Sequence, residues 1–532
     1  MSLDSNNPLK TKSWLKLINH FKKIKDIHIL EHFISDKSRG KKFSIKWKDF
    51  LLDFSKNNID GETINLFQKL LNEINLKGSI EKYFSGEKIN LTESRPVLHT
   101  ALRADGMSKI LVEGKNIMSE IAETRDKIKL FSHEVISGNY KGFKGDKIEA
   151  VVNIGIGGSE LGPSMVVESL YHYKNHIKTY FISNVDGDHV QDIISDLLPE
   201  KTLFIIVSKT FTTTETLTNA NTVREWFLKS AEEKDIPKHF VAVSSNVDEV
   251  INYGIDPDNI FPMWNWVGGR FSLWGSAGLS ISLSIGYQNF SELLEGAREM
   301  DIHFKTSEYS ENIPVILACI SLWYNNFFNY HNHGIIAYSE YLKNFSKYLQ
   351  QASMESNGKQ TDRSGNFVNY ETGQIIWGQT GSNAQHSFFQ LLHQGTKIVP
   401  LDFIGFSKPL KGNNTHHNIL MSNFFAQTKA LMTGTFKIKV NDNHKFFNGN
   451  RPTNTILIEK LSPKNLGSLI SLYEHKIFTL GLIWNIFSFD QFGVELGKKL
   501  AKDILSDINS GNYSGHDSST ESLLKEYIFG NK

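Results

Sequence analysis

Only one cysteine, Cys319, occurs in the 532 residues, so no intrachain disulfide can form and a reducing compartment is the natural setting. It lies in the apolar run IPVILACISLWY (313–324), where a lone thiol reads as buried core rather than as a nucleophile. A surplus of charge is also missing. With 58 Lys and Arg against 57 Asp and Glu the formal charge is +1, which argues against a nucleic-acid partner. No window reaches the roughly 18 uncharged apolar residues of a membrane span. The amino-terminal MSLDSNNPLKTKSW lacks the apolar stretch of a signal peptide, so the expectation is a cytoplasmic protein without a membrane partner. Low-complexity linkers and short repeats are absent as well. What remains is 40% hydrophobic and 12% aromatic at a mean hydropathy of −0.30, enough to bury a large core. The length suggests about three domains, or two large ones with arms.

Residues 9–33 carry Trp14, Leu17, Ile18, Phe21 and Ile24 at a helical period among lysines, which predicts one amphipathic helix with a solvated basic face. Further helix is expected through about residue 135, including 62–74 and 108–128. Near residue 148 the pattern changes. Short β-branched runs at 148–154, 178–183, 202–208 and 239–245 alternate with helical stretches, and the alternation recurs at 334–339, 373–378 and 396–404. This pattern predicts an α/β fold with two parallel sheets covered by helices. The run 456–461 adds a candidate strand, and the tail from 464 reads as long helices.

Several segments have the composition of a site. NIGIGGSELGPS (153–164) is a glycine-rich turn between strand and helix, suited to an anionic ligand or simply to tight packing. Glu160 stands where a dinucleotide fingerprint needs glycine, and no Walker Lys-Ser/Thr pair follows. SKTFTTTET (208–216) supplies six hydroxyls before a helix, where one would suffice as a cap. Ser208, Lys209, Thr210, Thr212 and Thr213, with Phe211 among them, are therefore candidate phosphate-binding residues. Both loops follow strands of one predicted sheet and so fall at its carboxyl edge, where such sheets bind ligands. VGGRFSLWG (267–275) offers Arg270 as a fixed cation or as an ordinary surface arginine, a choice the segment leaves open.

In YLQQASMESNGK (348–359), Gln351 and Glu355 share a helical face, with Glu355 at the helix end. A carboxylate against the negative end of the dipole suits proton abstraction, although most helical glutamates are simply solvated. GQTGSNAQHSFFQLLHQG (378–395) puts His386 one turn into a predicted helix, as a proton shuttle or a structural histidine. Gln491 and Lys498 in FDQFGVELGKK (489–499) are seven residues apart on a predicted helical face and by themselves read as solvated. HNH (331–333), NNTHHN (413–418) and NVDGDH (184–189) lack the spacing of a metal-ligand set, so neither a metal nor a cofactor is expected.

Taken in order, RPVLHTALR (95–103), NIGIGGSELGP, SKTFTTTET, VGGRFSLWG, QASMESNGK, GSNAQHSFFQLLHQG, NRPTN (450–454) and DQFGVELGK resemble the phosphoglucose isomerase family over about residues 95–500. MESNGK and VELGK in this setting are the specific elements; GIGGS alone is not. The resemblance implies two sugar-isomerase-type α/β domains, over 136–290 and 291–500, with helical arms over 1–135 and 501–532, in a homodimer with shared active sites. It implies glucose 6-phosphate and fructose 6-phosphate as substrates, interconverted through an enediolate in glycolysis and gluconeogenesis. Ser208, Lys209, Thr210 and Thr213 would hold the phosphate, and Gly158, Ser159, Gln351 and Gln491 would contact substrate. Glu355 would be the base, Arg270 would stabilise the enediolate, and His386, contributed across the dimer, would open the ring with Lys498. Two departures stand out: Phe492 replaces a frequent tryptophan, and GSNAQHSFF replaces the usual GTNGQHAFY, with Ala384 close to His386. Two competing readings are a non-catalytic phosphosugar regulator, which should lack the set Glu355, His386 and Lys498, and a metal-dependent hydride-shifting isomerase, which a chelator should stop.

Overall fold

The computed structural model of the protein describes residues 3–435 and 442–530. The chain forms two compact units, Met1–Ser488 and Phe489–Lys532.

The amino-terminal region is less uniformly helical than its sequence pattern suggests. Residues 9–33 form two main helices, Lys12–Ile24 and Ile29–Ser35, because His28 between them is extended and its Nδ1 accepts the Leu30 amide at 3.1 Å. A hairpin of β1 (Ser44–Trp47) and β2 (Phe50–Asp53) follows, in a stretch read as helical. The expected helix over 108–128 starts only at Met118, in Met118–Ser137. Before it, β3 (Leu111–Val112) and β4 (Lys115–Asn116) pair around Glu113 and Gly114, both with positive φ. Such a two-residue loop matches the twist of a hairpin.

The first large sheet is parallel throughout. β5 (Ala150–Ile154), β6 (Lys178–Ile182), β7 (Thr202–Val207), β8 (Phe240–Ser244) and β9 (Ile260–Pro262) are arranged β6-β5-β7-β8-β9. Strands β5, β7 and β8 are buried at every position, as expected when helices cover both faces. Val152, Phe204, Phe227, Phe240 and Ala242 belong to one apolar cluster on this sheet.

In the second sheet, β10 (Asn332–Ala337), β11 (Ile375–Thr380), β12 (Leu401–Phe406) and β13 (Thr453–Ile458) run parallel in the order β13-β12-β10-β11. The early hairpin completes it: β2 pairs antiparallel with β13, and β1 forms the edge. The amino-terminal segment is thus part of the second sheet and not only a helical arm.

The helix Pro463–Ile483 is buried along nearly its whole length and packs against Tyr287–Thr306. Their backbones meet directly, since a Cβ at Gly296 would lie 1.7 Å from the Lys464 carbonyl oxygen and one at Gly467 1.9 Å from that of Leu293. Cys319 lies in the buried helix Ile313–Leu322, where burial pushes its thiol far up. Among the described residues no helix is long and apolar enough to cross a membrane.

Candidate active site

In the order β6-β5-β7, the chain passes from β5 to β6 on one side and then crosses back to β7 on the other, and at such a switch point a crevice opens at the carboxyl ends of β5 and β7. The glycine turn follows β5 and the hydroxyl-rich loop follows β7. Gly155 is pressed into this junction: a Cβ there would lie 3.0 Å from the Val207 carbonyl oxygen and 2.8 Å from Ser159 Cβ. Asn153 secures the turn by donating from Nδ2 to the Ser159 carbonyl at 3.1 Å. Gly157 turns the chain with φ +62°, and a Cβ on it would come within 3.1 Å of Gln351 Nε2. The first loop and Gln351 are therefore neighbours. Gln351 Oε1 is buried and has no hydrogen-bond partner among the described residues.

The loop after β7 is anchored by an unusual residue. Phe211 adopts φ +54°, turning its ring into the apolar cluster of the first sheet, edge-on to Tyr253 at 5.6 Å. Its neighbours Thr210 and Thr212 are exposed, and their hydroxyls meet at 2.7 Å. Ser208 Oγ donates to Thr213 Oγ1 at 3.2 Å. Thr213 caps the helix Thr214–Leu228 without a side-chain bond to its first amides, which leaves them without that partner at the helix start. Phe211 itself can offer only its backbone to a ligand. The backbone of the loop is held from behind, because Ser244 Oγ, Ser245 Oγ and the Ser245 amide all donate to the Lys209 carbonyl.

Lys209 reaches across to a different segment. Its Nζ donates to the carbonyls of Asn265 at 3.2 Å and Val267 at 3.3 Å. Burial, and then the guanidinium of Arg95, push this amine down to about 8. The segment it touches continues into the turn Gly269–Trp274, which carries Arg270.

Arg270 is the buried centre of the site, with its side chain only 1% exposed. Its Nη1 lies 3.2 Å from Glu355 Oε2, its Nε donates to Ser356 Oγ at 2.7 Å, and its Nη2 donates to the Ser488 carbonyl at 2.7 Å. The surface-arginine alternative is thereby removed. Glu355 ends the wide turn Gln350–Glu355, which has π-helical geometry, and its backbone carbonyl accepts from Lys359 Nζ at 2.9 Å. Its side chain is 23% exposed, so the carboxylate is open on the side away from Arg270.

The structure thus gathers Gly158, Ser159, Gln351, Glu355 and Arg270 at one place, with Ser208–Thr213 linked to it through Lys209. His386 is different. It does not stand one turn into a helix; it is an exposed residue between the short helices Gly381–Gln385 and Phe389–Gln394, because the first helix ends after Gln385. Gln491 and Lys498 belong to the second unit. Gln491, with φ −153° and ψ 45°, lies outside the helical region and precedes the short turn Phe492–Val494, so it does not share a helical face with Lys498 in Glu495–Ser510. Lys498 is exposed, 3.8 Å from Glu495.

Ser356, Ser488, Asn153 and Lys359 were not singled out by sequence pattern. Ser356 and Lys359 stand with Glu355 in MESNGK and Asn153 opens NIGIGGSELGP, signals that could have marked them; Ser488 becomes visible only through its contact with Arg270, distant in sequence. Among the described residues no group of three or more His, Cys, Asp and Glu side chains converges as a metal site. His333, from one of the segments checked for metal ligation, instead pairs with buried Asp402 at 2.9 Å.

The sequence model of phosphoglucose isomerase matches residues 53–524. Glucose-6-phosphate isomerase of Christiangramia forsetii is 56% identical, covering 98% of this chain and 99% of that protein. The enzyme of the same name from Wigglesworthia glossinidia brevipalpis is 51% identical, covering 99% of each. The crystal structure of a glucose-6-phosphate isomerase from Chlamydia trachomatis superposes with a TM-score of 0.87 at 32% identity, over 98% of this chain and 99% of that one. The two sugar-isomerase-type α/β sheets are shared with that structure. A match that runs through both sheets and every loop of the crevice makes this chain a member of the phosphoglucose isomerase family.

Proposed function

We propose that the protein interconverts glucose 6-phosphate and fructose 6-phosphate by proton transfer, with Glu355 as the base that serves carbons 1 and 2. The observation that carries this reading is the contact between Glu355 Oε2 and the buried Arg270 guanidinium, beside a loop built for an anion. The phosphate is received by Ser208, Lys209, Thr210, Thr212 and Thr213 with the backbone of Phe211 and the open helix amides. Gripping it away from the reacting carbons supplies the binding energy that orients them. Gly158, Ser159 and Gln351 line the sugar, and Gln491 is a further contact.

The chemistry needs an open chain first. His386 and Lys498 are the acid and base for ring opening, with His386 supplied from the second subunit of a homodimer; its exposed position supports that assignment. Glu355 then removes the proton from carbon 2 of the aldose, leaving a planar enediolate. The hydroxyl proton passes from oxygen 2 to oxygen 1, and Glu355 returns its proton to carbon 1. Arg270 offsets the negative charge that develops on these oxygens, and stabilisation of this kind is commonly the main source of rate enhancement at such sites. We also assign the protein to the cytoplasm and divide its work between an arm (1–135), two α/β domains (136–290 and 291–500) and a tail (501–532).

The test is conversion of fructose 6-phosphate in deuterated water with a chelator present. Solvent deuterium at carbon 2 of the product, with undiminished turnover, is expected. A product free of solvent deuterium, or activity lost to the chelator, would replace this reading with a metal-dependent hydride shift, and binding without turnover would indicate a phosphosugar regulator.

A further inference from the structure

We propose that Ser356 is a positioning residue for this isomerisation: its hydroxyl sets the plane of the Arg270 guanidinium so that Nη1 faces the carboxylate of Glu355 and the substrate oxygens beyond it. The inference rests on the reading of Glu355 as base and Arg270 as charge stabiliser.

A guanidinium is a rigid planar fork, so its usefulness toward a developing oxyanion depends on the orientation of that plane. Here the fork is held by contacts on all three nitrogens. Ser356 Oγ takes Nε at 2.7 Å, the Ser488 carbonyl takes Nη2 at 2.7 Å, and Glu355 stands 3.2 Å from Nη1. The Nε bond matters most for orientation, since Nε lies next to the last rotatable bonds of the side chain. Ser356 is 0% exposed and immediately follows Glu355, so one backbone turn holds both the base and the group that aims the cation at it.

The opposite side of the clamp is equally specific. Ser488 Oγ donates to Asn357 Oδ1 at 2.7 Å, and Asn357 Nδ2 donates to the Ile477 carbonyl at 3.0 Å. Gly481 makes room for this arrangement, as a Cβ there would lie 1.8 Å from Ser488 Oγ. Consecutive residues Glu355, Ser356 and Asn357 thus act on Arg270 directly or through Ser488, tying its orientation to the long buried helix Pro463–Ile483.

A double-mutant cycle on the full-length enzyme distinguishes positioning from packing. Ser356→Ala is expected to lower kcat by about tenfold to a hundredfold, with KM for fructose 6-phosphate changed by less than about twofold because the phosphate loop is untouched. In an Arg270→Ala background the same change should cost less than about twofold, since no guanidinium is left to orient. Ser356→Cys keeps nearly the same volume but is a weak acceptor, and should lose kcat as Ser356→Ala does. It carries the test alone should the alanine variant fail to fold. Full kcat in Ser356→Cys, or an equal loss in the Arg270→Ala background, would overturn the proposal. Glu355→Gln in the same assay separates the two readings: retained turnover there removes the base assignment, whereas lost turnover beside a fully active Ser356→Cys removes only the role of Ser356.

Discussion

Gly158 and Gly269 touch backbone to backbone: a Cβ on Gly158 would lie 2.1 Å from the carbonyl carbon and oxygen of Gly269. The turn after β5 and the turn that delivers Arg270 are therefore in contact at a place where neither can yield by rotating a side chain. Ser272 Oγ reinforces the junction with a 2.7 Å bond to the Gly269 carbonyl.

Gly158→Ala should accordingly push the two turns apart and move Arg270 relative to the substrate. The expected result is a loss in kcat/KM of about a hundredfold or more, because displacements near 1 Å are enough for that. Steady-state kinetics beside a thermal melt would show it; an active variant would mean that the contact is not needed for the geometry.

Lys209 gives the protein a pH dependence on the substrate side. Its amine is lowered to about 8, below its ordinary 10.5, so the fold disfavours the charged form, and the folded protein sheds this proton before the unfolded chain does. Its effect on stability is therefore unfavourable below pH 8 and relieved as pH rises toward 10.5. Its effect on binding has the opposite sense, since the charge that attracts phosphate disappears above pH 8. The affinity for inorganic phosphate, measured as competitive inhibition, should fall between pH 7 and about 9 in the native protein and fall much less in Lys209→Met. Equal slopes would assign the effect to another group.

Arg103 supports the turn of Arg270 from below. Fully buried, it donates to Asp301 through Nε at 2.8 Å and Nη2 at 2.7 Å, and to Glu474 through Nη1 at 2.5 Å. Glu474 in turn accepts the indole of Trp274 at 2.8 Å, and His99 stacks on Phe271 at 4.6 Å. Arg103→Met leaves buried carboxylates uncompensated and should cost about 3–5 kcal/mol in urea unfolding. Although burial works to raise Asp301, the Arg103 guanidinium holds it down to about 2, so its contribution to stability is present above pH 3.8 and is lost as pH falls toward 2. The variant should lack that part of the acid transition.

Cys319 is 1% exposed and its thiol is raised by burial. A thiol reagent should leave the native protein unlabelled and modify one group per chain after denaturation. Rapid labelling of the native protein would show that the helix Ile313–Leu322 opens readily.

Much of this architecture was legible in local chemistry. Runs such as 150–154 and 202–207 announce buried parallel strands because all but one position in each is apolar, and a glycine turn or hydroxyl-rich loop right after them locates the carboxyl edge. Segments whose state depends on a distant partner were misread. The hairpin of β1 and β2 is only four residues per strand and becomes a sheet edge by pairing with β13, some 400 positions later in sequence. A glycine-polar loop before His386 and the seven-residue spacing of Gln491 to Lys498 suggest helical positions, whereas His386 caps the end of Gly381–Gln385 and Gln491 precedes the turn Phe492–Val494.

The linear order of residues determined which groups are available: the hydroxyls of 208–216, the adjacent Glu355 and Ser356, and the glycines at 157, 158 and 269. Those are properties of side-chain type and backbone freedom, carried by each residue wherever it lies. Tertiary structure alone decided that Arg270 is a buried cation aimed at Glu355, because the groups that hold it include Glu355, Ser356 and the Ser488 carbonyl, far from it in sequence. Orientation of a guanidinium is set by acceptors that converge on it, and convergence of segments far apart in the chain is a consequence of packing.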